Sequence, residues 1–295
     1  MNSFKAKSIF IFVAIACLYF SGVAAIIYPM ISNVLSLSTS RTVIENYDQT
    51  VEKMDNTDIK TKLENADKFN ADIAKGIYHD GLERSLCDEN GLMCYVEVPV
   101  ISVYLPVYYG ATDENLARGC AYLENTSLPV GGESTHSVIS GHTGLPSADM
   151  FTKLDQVETG NVFFIHVLDQ VLAYQVVSID AVTPSKTELL TVVDGKDYVT
   201  LLTCTPYGIN DKRLLVRGER IPYNADTTVF PTSAGVPLDD DSDEALSVEI
   251  RHQITIIVAI VLAAIIIFIF ALIWFFASMK PRSDSEGQNV TQKTD

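Results

Sequence analysis

Apolar residues follow three different patterns along this chain, and each predicts a different kind of element. Residues 9–32, IFIFVAIACLYFSGVAAIIYPMIS, and residues 254–277, ITIIVAIVLAAIIIFIFALIWFFA, are apolar runs without a single charge. Either is long enough to cross a hydrocarbon layer of about 30 Å as a helix. Between 38 and 76 the chain turns polar, with apolar residues at helical spacing: Val43, Tyr47, Val51 and Met54, then Ile59, Leu63, Ala66, Phe69 and Ile73. That period predicts two amphipathic helices broken near Asp55-Asn56, with Asn56 or Thr57 as the N-cap of the second. From 91 to 223 short β-branched and aromatic runs alternate with Gly, Pro, Asn and Asp, giving candidate strands at 93–98, 101–109, 136–141, 161–168, 171–182, 197–204 and 213–221. Short strands with few helices between them predict a mainly β fold closed, or nearly closed, into a barrel. A segment of about 130 residues is long enough to bury one core.

The resulting organisation is a tip and membrane helix over 1–32, a helical segment over 33–90, a barrel over 91–223, an acidic linker over 224–253, a second membrane helix over 254–277 and a tail over 278–295. A cleaved signal peptide is the competing reading of the first run, since Lys5 and Lys7 precede it. The run exceeds the roughly 7 to 15 residues of a signal-peptide core and no small-x-small cleavage site ends it, so an uncleaved anchor is expected. Lys5 and Lys7 before the first run, and Lys280 and Arg282 after the second, place both termini in the cytoplasm and 33–250 outside. Arg251 alone argues the other way. The net charge of −16 lies largely in that outer part, including DDDSDE at 239–244. Such a run reads as a solvated linker.

Composition changes the picture through the five cysteines and five histidines. Cys17 falls in the first apolar run. Cys87 and Cys94, in CDENGLMC, bracket a turn, and their spacing permits a disulfide in an oxidising exterior without requiring one. No CxxC pair or histidine cluster stands at metal-ligand spacing, so neither a metal nor a cofactor is expected. Cys204 ends the strand-like DYVTLLTC and is followed by the turn Thr205-Pro206-Tyr207-Gly208, where a substrate can reach it; Cys120, in ARGCAYLENT, has no such setting. A lone cysteine at a strand end is ordinarily a packed core thiol. Chemistry at Cys204 needs a thiolate, hence a base or cation beside it. Within STHSVISGHTGLP, His142 follows a strand and stands between two glycines, where its ring can face a cleft, whereas His136 sits on the strand itself. His166 and His252 read as bystanders. A histidine, a cysteine and an arginine at neighbouring strand ends would supply an acid or base, a nucleophile and an oxyanion stabiliser.

TLLTCTPYGINDKRLLVRGERIPY resembles the signature of sortases, the membrane-anchored cysteine transpeptidases of Gram-positive bacteria. SLPVGGESTHSVISGHTGLPSADMFTKLDQVETGNVFFIHVL and the second apolar run are closer to class C, the pilin-polymerising sortases. The resemblance implies an eight-stranded β-barrel over 91–223, with Cys204 as nucleophile, His142 as acid and base, and Arg213 as oxyanion stabiliser. Arg217 is a rival for Arg213, since strand alternation puts both on one face. The family pattern selects Arg213 and leaves Arg217 as a surface salt bridge. Asp211-Lys212 stands where that pattern more often has Thr-His. The implied reaction cleaves an LPxTG-like sorting signal between Thr and Gly and passes the acyl group from a thioester to a lysine of a pilin subunit.

Class C sortases commonly carry an Asp-Pro-aromatic lid before the barrel. GIYHDGLERSLCDENGLM has no such triplet, only Asp80-Gly81-Leu82 with Tyr78 or His79 nearby. A Cys87–Cys94 bridge would then anchor the loop in the lid's place. The expected partners are surface proteins or pilins with sorting signals, an acceptor amine from pilin lysine or a peptidoglycan cross-bridge, and the lipid bilayer, with no nucleic acid. The alternatives are a sortase that attaches proteins to peptidoglycan and an inert anchored scaffold.

Overall fold

The computed structural model describes residues 3–77, 82–223 and 241–278. The chain forms two compact units, one of residues 1–27 with 255–295 and one of residues 28–254. In the first, Phe12 stacks on Phe275 with ring centroids 4.2 Å apart, and the Tyr19 hydroxyl donates to the Ala264 carbonyl over 3.0 Å. The helices that supply it are α1, Ser3–Glu52, and α4, Asp241–Ser278, both long and apolar enough to cross a membrane. α1 is one continuous helix through the predicted membrane run and the first predicted amphipathic segment. α4 starts before the apolar run predicted from 254, so the C-terminal part of the expected linker is helical.

The second unit is built on a closed barrel. Its strands are β1, Leu92–Val98; β2, Val103–Tyr109; β3, Cys120–Tyr122; β4, Thr135–Ser140; β5, Val162–Val167; β6, Gln170–Val182; β7, Asp197–Thr205; and β8, Lys212–Ile221. They hydrogen-bond in the order β1-β2-β3-β4-β7-β8-β6-β5, with β5 returning to β1. Two neighbouring pairs, β2 with β3 and β4 with β7, run parallel and the others antiparallel. Seven of these strands coincide with predicted ones. β3 was not predicted because three residues are too few to show an alternation; it follows the short helix α3, Asp113–Arg118, and closes the gap between β2 and β4.

Alternate positions on each strand point inward. Ile139, Val199, Leu201, Leu214 and Val216 belong to the core with the fully buried Phe151, Phe163, Tyr108, Tyr122 and Tyr174. The helix α2, Asn56–Ile73, presents Ile59, Ala66, Phe69 and Ile73 to the same core, as its period predicted. Its N-cap is Asp55, whose side chain accepts from the Thr57 amide, and neither Asn56 nor Thr57 takes that role. An aspartate one residue earlier does this better, because its carboxylate reaches the free amides of the first turn.

Polar side chains fasten the helices to the barrel. The Tyr47 hydroxyl on α1 donates to the Met93 carbonyl over 3.1 Å and accepts from the Leu168 amide over 2.7 Å. Asn70 on α2 clasps both backbone groups of Leu128, at 3.1 and 2.6 Å. Cys87 and Cys94 are free thiols, and burial pushes the Cys87 thiol up to about 11 and Cys94 higher still. Of the expected lid residues, Tyr78, His79, Asp80 and Gly81 lie outside the described residues.

Candidate active site

β7 delivers Cys204 to the rim of the barrel. Thr203, one residue earlier, faces inward and is buried, so Cys204 faces outward, where it is half-buried. The antiparallel register of β7 and β8 pairs Cys204 directly with Arg213. Directly opposed cross-strand residues have Cβ atoms about 4.5–5.5 Å apart on one face of the sheet. On the other flank, β4 runs parallel to β7 with Ser140 paired to Leu202, and the Gly141 amide continues the ladder by donating to the Leu202 carbonyl over 3.0 Å. His142 lies two residues past Ser140, as Cys204 lies two past Leu202. The ladder thus leads to His142 just past the end of β4, and the three expected site residues stand at the ends of three neighbouring strands, β4, β7 and β8.

The backbone around His142 is tightly pinned. The Thr203 hydroxyl donates to the Gly141 carbonyl over 2.7 Å and sits 2.6 Å from the Thr143 hydroxyl. The His142 carbonyl accepts from the Phe151 amide over 3.0 Å, and the Thr152 hydroxyl accepts from the Gly144 amide over 3.0 Å. Gly141 has to be a glycine, because a Cβ there would lie 2.7 Å from the Phe151 ring. Gly144 has φ +74°, and a Cβ on it would meet the Tyr207 ring at 2.9 Å. Asn33 of α1 supports the same loop from outside: its amide nitrogen donates to the Asp149 carboxylate over 3.2 Å and its amide oxygen accepts from the Asp149 backbone over 2.8 Å.

Arg213 is half-buried and its guanidinium donates to the carbonyls of Lys212, at 3.1 Å, and Asn210, at 3.4 Å. Among the described residues the Cys204 thiol and the His142 ring have no hydrogen-bond partner, so both are available to a third molecule. Tyr207 and Ile209, on the β7–β8 turn, are 68% and 70% exposed and give the rim an apolar edge. The arrangement offers a thiol, an imidazole and a guanidinium on adjoining strands, open to solvent, as nucleophilic acyl transfer requires. Among the described residues no three His, Cys, Asp or Glu side chains gather to hold a metal ion.

Other candidates go elsewhere. Cys120 is fully buried on β3, and burial raises its thiol well above the ordinary value. His166, on β5, lies 2.9 Å from the Glu97 carboxylate and stacks on Tyr95 at 4.3 Å. Arg217 is not the surface salt bridge that sequence reading expected. It donates through Nη2 to the Leu189 carbonyl and lies over the Tyr198 ring at 5.3 Å, while its Nε is buried. His136, on β4, is fully buried, with Nε2 2.7 Å from the Thr200 hydroxyl and Nδ1 2.9 Å from the Thr191 carbonyl. The sequence signal for these two was their parity with His142 and Arg213; nothing in the sequence marks Asn33.

The barrel is similar to known proteins in sequence and in fold. The family model of the sortase domain matches residues 96–221. The crystal structure of Streptococcus pneumoniae sortase C is 44% identical, covers 62% of this chain and 97% of its own, and superposes with a TM-score of 0.58. Clostridium perfringens sortase C, solved with the C-terminal cell wall sorting motif, is 43% identical over 62% of this chain and 99% of its own, with a TM-score of 0.58. Sortase A of Bacillus anthracis is 27% identical over 179 residues, 60% of this chain and 80% of that protein.

Proposed function

This chain belongs to the sortase family of cysteine transpeptidases, and from that premise we propose that it is a membrane-anchored, pilin-joining enzyme whose chemistry is carried by Cys204, His142 and Arg213. The observation that carries the assignment is the register: Arg213 is paired with Cys204 across β7 and β8, and His142 follows Ser140 on the other side. The two apolar helices that flank the barrel in sequence support anchoring, and Lys5, Lys7, Lys280 and Arg282 beside them favour cytoplasmic termini.

Cys204 Sγ attacks the carbonyl carbon of the threonine in an LPxTG-like signal, and Arg213 stabilises the tetrahedral oxyanion. The Thr–Gly amide breaks as His142 gives a proton to the leaving glycine nitrogen. The product is a thioester on Cys204. A lysine amine of the next subunit then attacks the thioester while His142 takes up its proton, forming an isopeptide bond and releasing the Cys204 sulfur. Keeping the acyl group as a thioester retains the reactivity that the second step needs, which water would dissipate. Arg213 now rests through Nη1 on two carbonyls of its own turn, and the longer of these contacts, 3.4 Å to Asn210, is the one an oxyanion displaces.

The similarity to class C sortases at 43 to 44% identity favours a pilin lysine over a peptidoglycan amine as the acceptor. The test is to mix the protein with an LPxTG peptide and look by mass spectrometry for an acyl adduct on Cys204, then to supply a lysine-bearing pilin domain or a peptidoglycan cross-bridge peptide. An adduct resolved by the pilin domain into a covalent ladder is expected. No adduct on reduced, folded protein refutes the assignment, and resolution by the cross-bridge peptide alone reassigns the acceptor.

A further inference from the structure

The connection from β6 to β7, residues 183–196, does not hang free of the barrel. It folds against the outer face of β4, β7 and β8, the face on which Cys204 lies. Its middle is held at two neighbouring points. The Thr191 carbonyl faces His136 Nδ1 at 2.9 Å, and the Leu189 carbonyl accepts from Arg217 Nη2. Its C-terminal end is held by Ser134, whose hydroxyl accepts from the Gly195 amide over 2.9 Å and donates to the Asp194 carboxylate over 3.2 Å. The Thr135 amide also donates to the Lys196 carbonyl over 3.0 Å.

The chemistry of these contacts is specific. A backbone carbonyl only accepts, so His136 Nδ1 carries the proton and Nε2 accepts from the Thr200 hydroxyl. Burial, with Arg217 close by, lowers the His136 pKa to about 4, which keeps the ring neutral, and the Thr191 carbonyl fixes its tautomer. Tyr198 joins the two anchors: its ring meets the His136 ring edge-on at 5.7 Å and lies under the Arg217 guanidinium. Between this cluster and Cys204, Ser140 and Leu202 face outward and are only half-buried. They form an open floor between the latched connection and the thiol. A peptide whose carbonyl reaches Cys204 has to lie near that floor.

Resting on the transpeptidase reading above, we infer that His136 and Arg217 are positioning residues that latch the 183–196 connection as a fixed wall beside this floor, and so set affinity for the sorting signal rather than the rate of chemistry at Cys204. Releasing the latch frees the wall, and the bound peptide must then order it at the expense of binding. Losing a hydrogen bond donated by a charged group weakens binding by roughly 10-fold or more.

The test uses the full chain in detergent. Amide hydrogen exchange over 183–196 reports the latch, and single-turnover acylation of Cys204 by an LPxTG peptide reports half-saturation and maximal rate separately. In Arg217→Met, exchange of the connection is expected to speed up by about 10-fold or more. Half-saturation is expected to rise by about 10-fold, with the maximal rate within about 3-fold of wild type. Arg217→Lys, which can still reach the Leu189 carbonyl, is expected to recover part of both. Ser134→Ala, which loosens the connection from its other end with little effect on the barrel, provides the same test if Arg217→Met does not fold. Unchanged exchange in these variants beside a normal wild-type adduct overturns the latch. A fall in maximal rate at unchanged half-saturation overturns its role in affinity and moves Arg217 into the chemistry. Wild-type protein that forms no adduct refutes the transpeptidase reading instead, and with it the substrate half of the inference.

Discussion

His136, Thr200 and Arg217 meet on the outer face of β4, β7 and β8; Cys204 and Arg213 are paired on the same face at the ends of β7 and β8, and His142 follows the end of β4. Each set flanks a residue of β7 with a histidine from the β4 side and an arginine from the β8 side. In the first, every group is engaged: His136 is fully buried between Thr200 and Thr191, and Arg217 is spent on the Leu189 carbonyl. In the second, Cys204, His142 and Arg213 are all half-buried, and the thiol and imidazole have no protein partner among the described residues. Residue type and strand position are nearly duplicated, so what separates the two sets is cover. The 183–196 connection closes over the first and stops short of the second. Thr200 beside a histidine is a hydroxyl that packing has taken out of use, and Cys204 beside Arg213 is a thiol left half-open to solvent.

The largest expected effect breaks the comparison at its chemical end. Cys204→Ala leaves the barrel intact and removes the attacking atom, so the acyl adduct disappears and turnover falls by roughly 10⁴-fold or more. Residual ladder formation at more than about one part in a thousand of wild type would mean that another residue attacks. The arginines come next. Arg213→Lys keeps a charge but loses the planar fork, and the maximal acylation rate is expected to fall by about 10²- to 10³-fold with half-saturation nearly unchanged. The opposite split is expected at Arg217. If both arginines change the same kinetic parameter, the two sets are one site and the distinction drawn here fails.

Much of the chemical set was legible in the sequence because it lies where strands meet turns. TLLTC ends a β-branched run at Thr205-Pro206-Tyr207-Gly208, and GHTG brackets His142 with glycines that the structure shows to be required by the Phe151 and Tyr207 rings. The covering set was not legible. Strand parity placed Arg217 on the face of Arg213, but it could not show that a connection returns over that face and supplies the Leu189 carbonyl. Contacts such as Asn33 with Asp149 join residues far apart in the chain through single amide side chains, which leave no periodic trace. β3 escaped because three buried residues, Cys120, Ala121 and Tyr122, carry no alternation of burial. α1 runs on past its apolar stretch because residues 33–52 contain neither Gly nor Pro, so composition shifted where structure did not.

A third effect tests the covered set by pH, through His136 alone. The pKa of His136 falls from an ordinary 6.5 to about 4, chiefly because burial penalises the charged ring, so the unfolded chain takes up this proton first as pH drops. The contribution of the neutral ring is therefore fully present above about pH 6.5 and is lost as pH falls toward 4. Its size is up to about 3 kcal/mol at 1.36 kcal/mol per pH unit. Urea midpoints at pH 7 and pH 4.5 measure it, with His136→Gln as the reference that lacks a titrating ring. Wild type should lose more stability than the variant over that interval. Parallel losses would show that His136 is not held neutral by its surroundings, and the covered set would no longer be the inert counterpart of the open one.

The smallest effect tests whether cover alone silences the first set. Thr200→Val is close in shape to threonine and removes the hydroxyl that donates to His136 Nε2, leaving a buried acceptor without a partner. Such a loss destabilises by about 1–3 kcal/mol. The Thr191 carbonyl still fixes the proton on Nδ1 and Arg217 still holds Leu189, so the 183–196 connection keeps two of its anchors. The melting temperature is expected to drop by a few degrees, while the rate of Cys204 acylation stays within about 2-fold of wild type. Because Thr200 lies four residues along β7 from Cys204, on the same face and next to a histidine, it is the residue that would change the rate if position and neighbours sufficed for catalysis. An unchanged rate in a measurably less stable protein locates the difference in exposure to substrate, and a rate loss larger than the stability loss would show that the two sets communicate through β7.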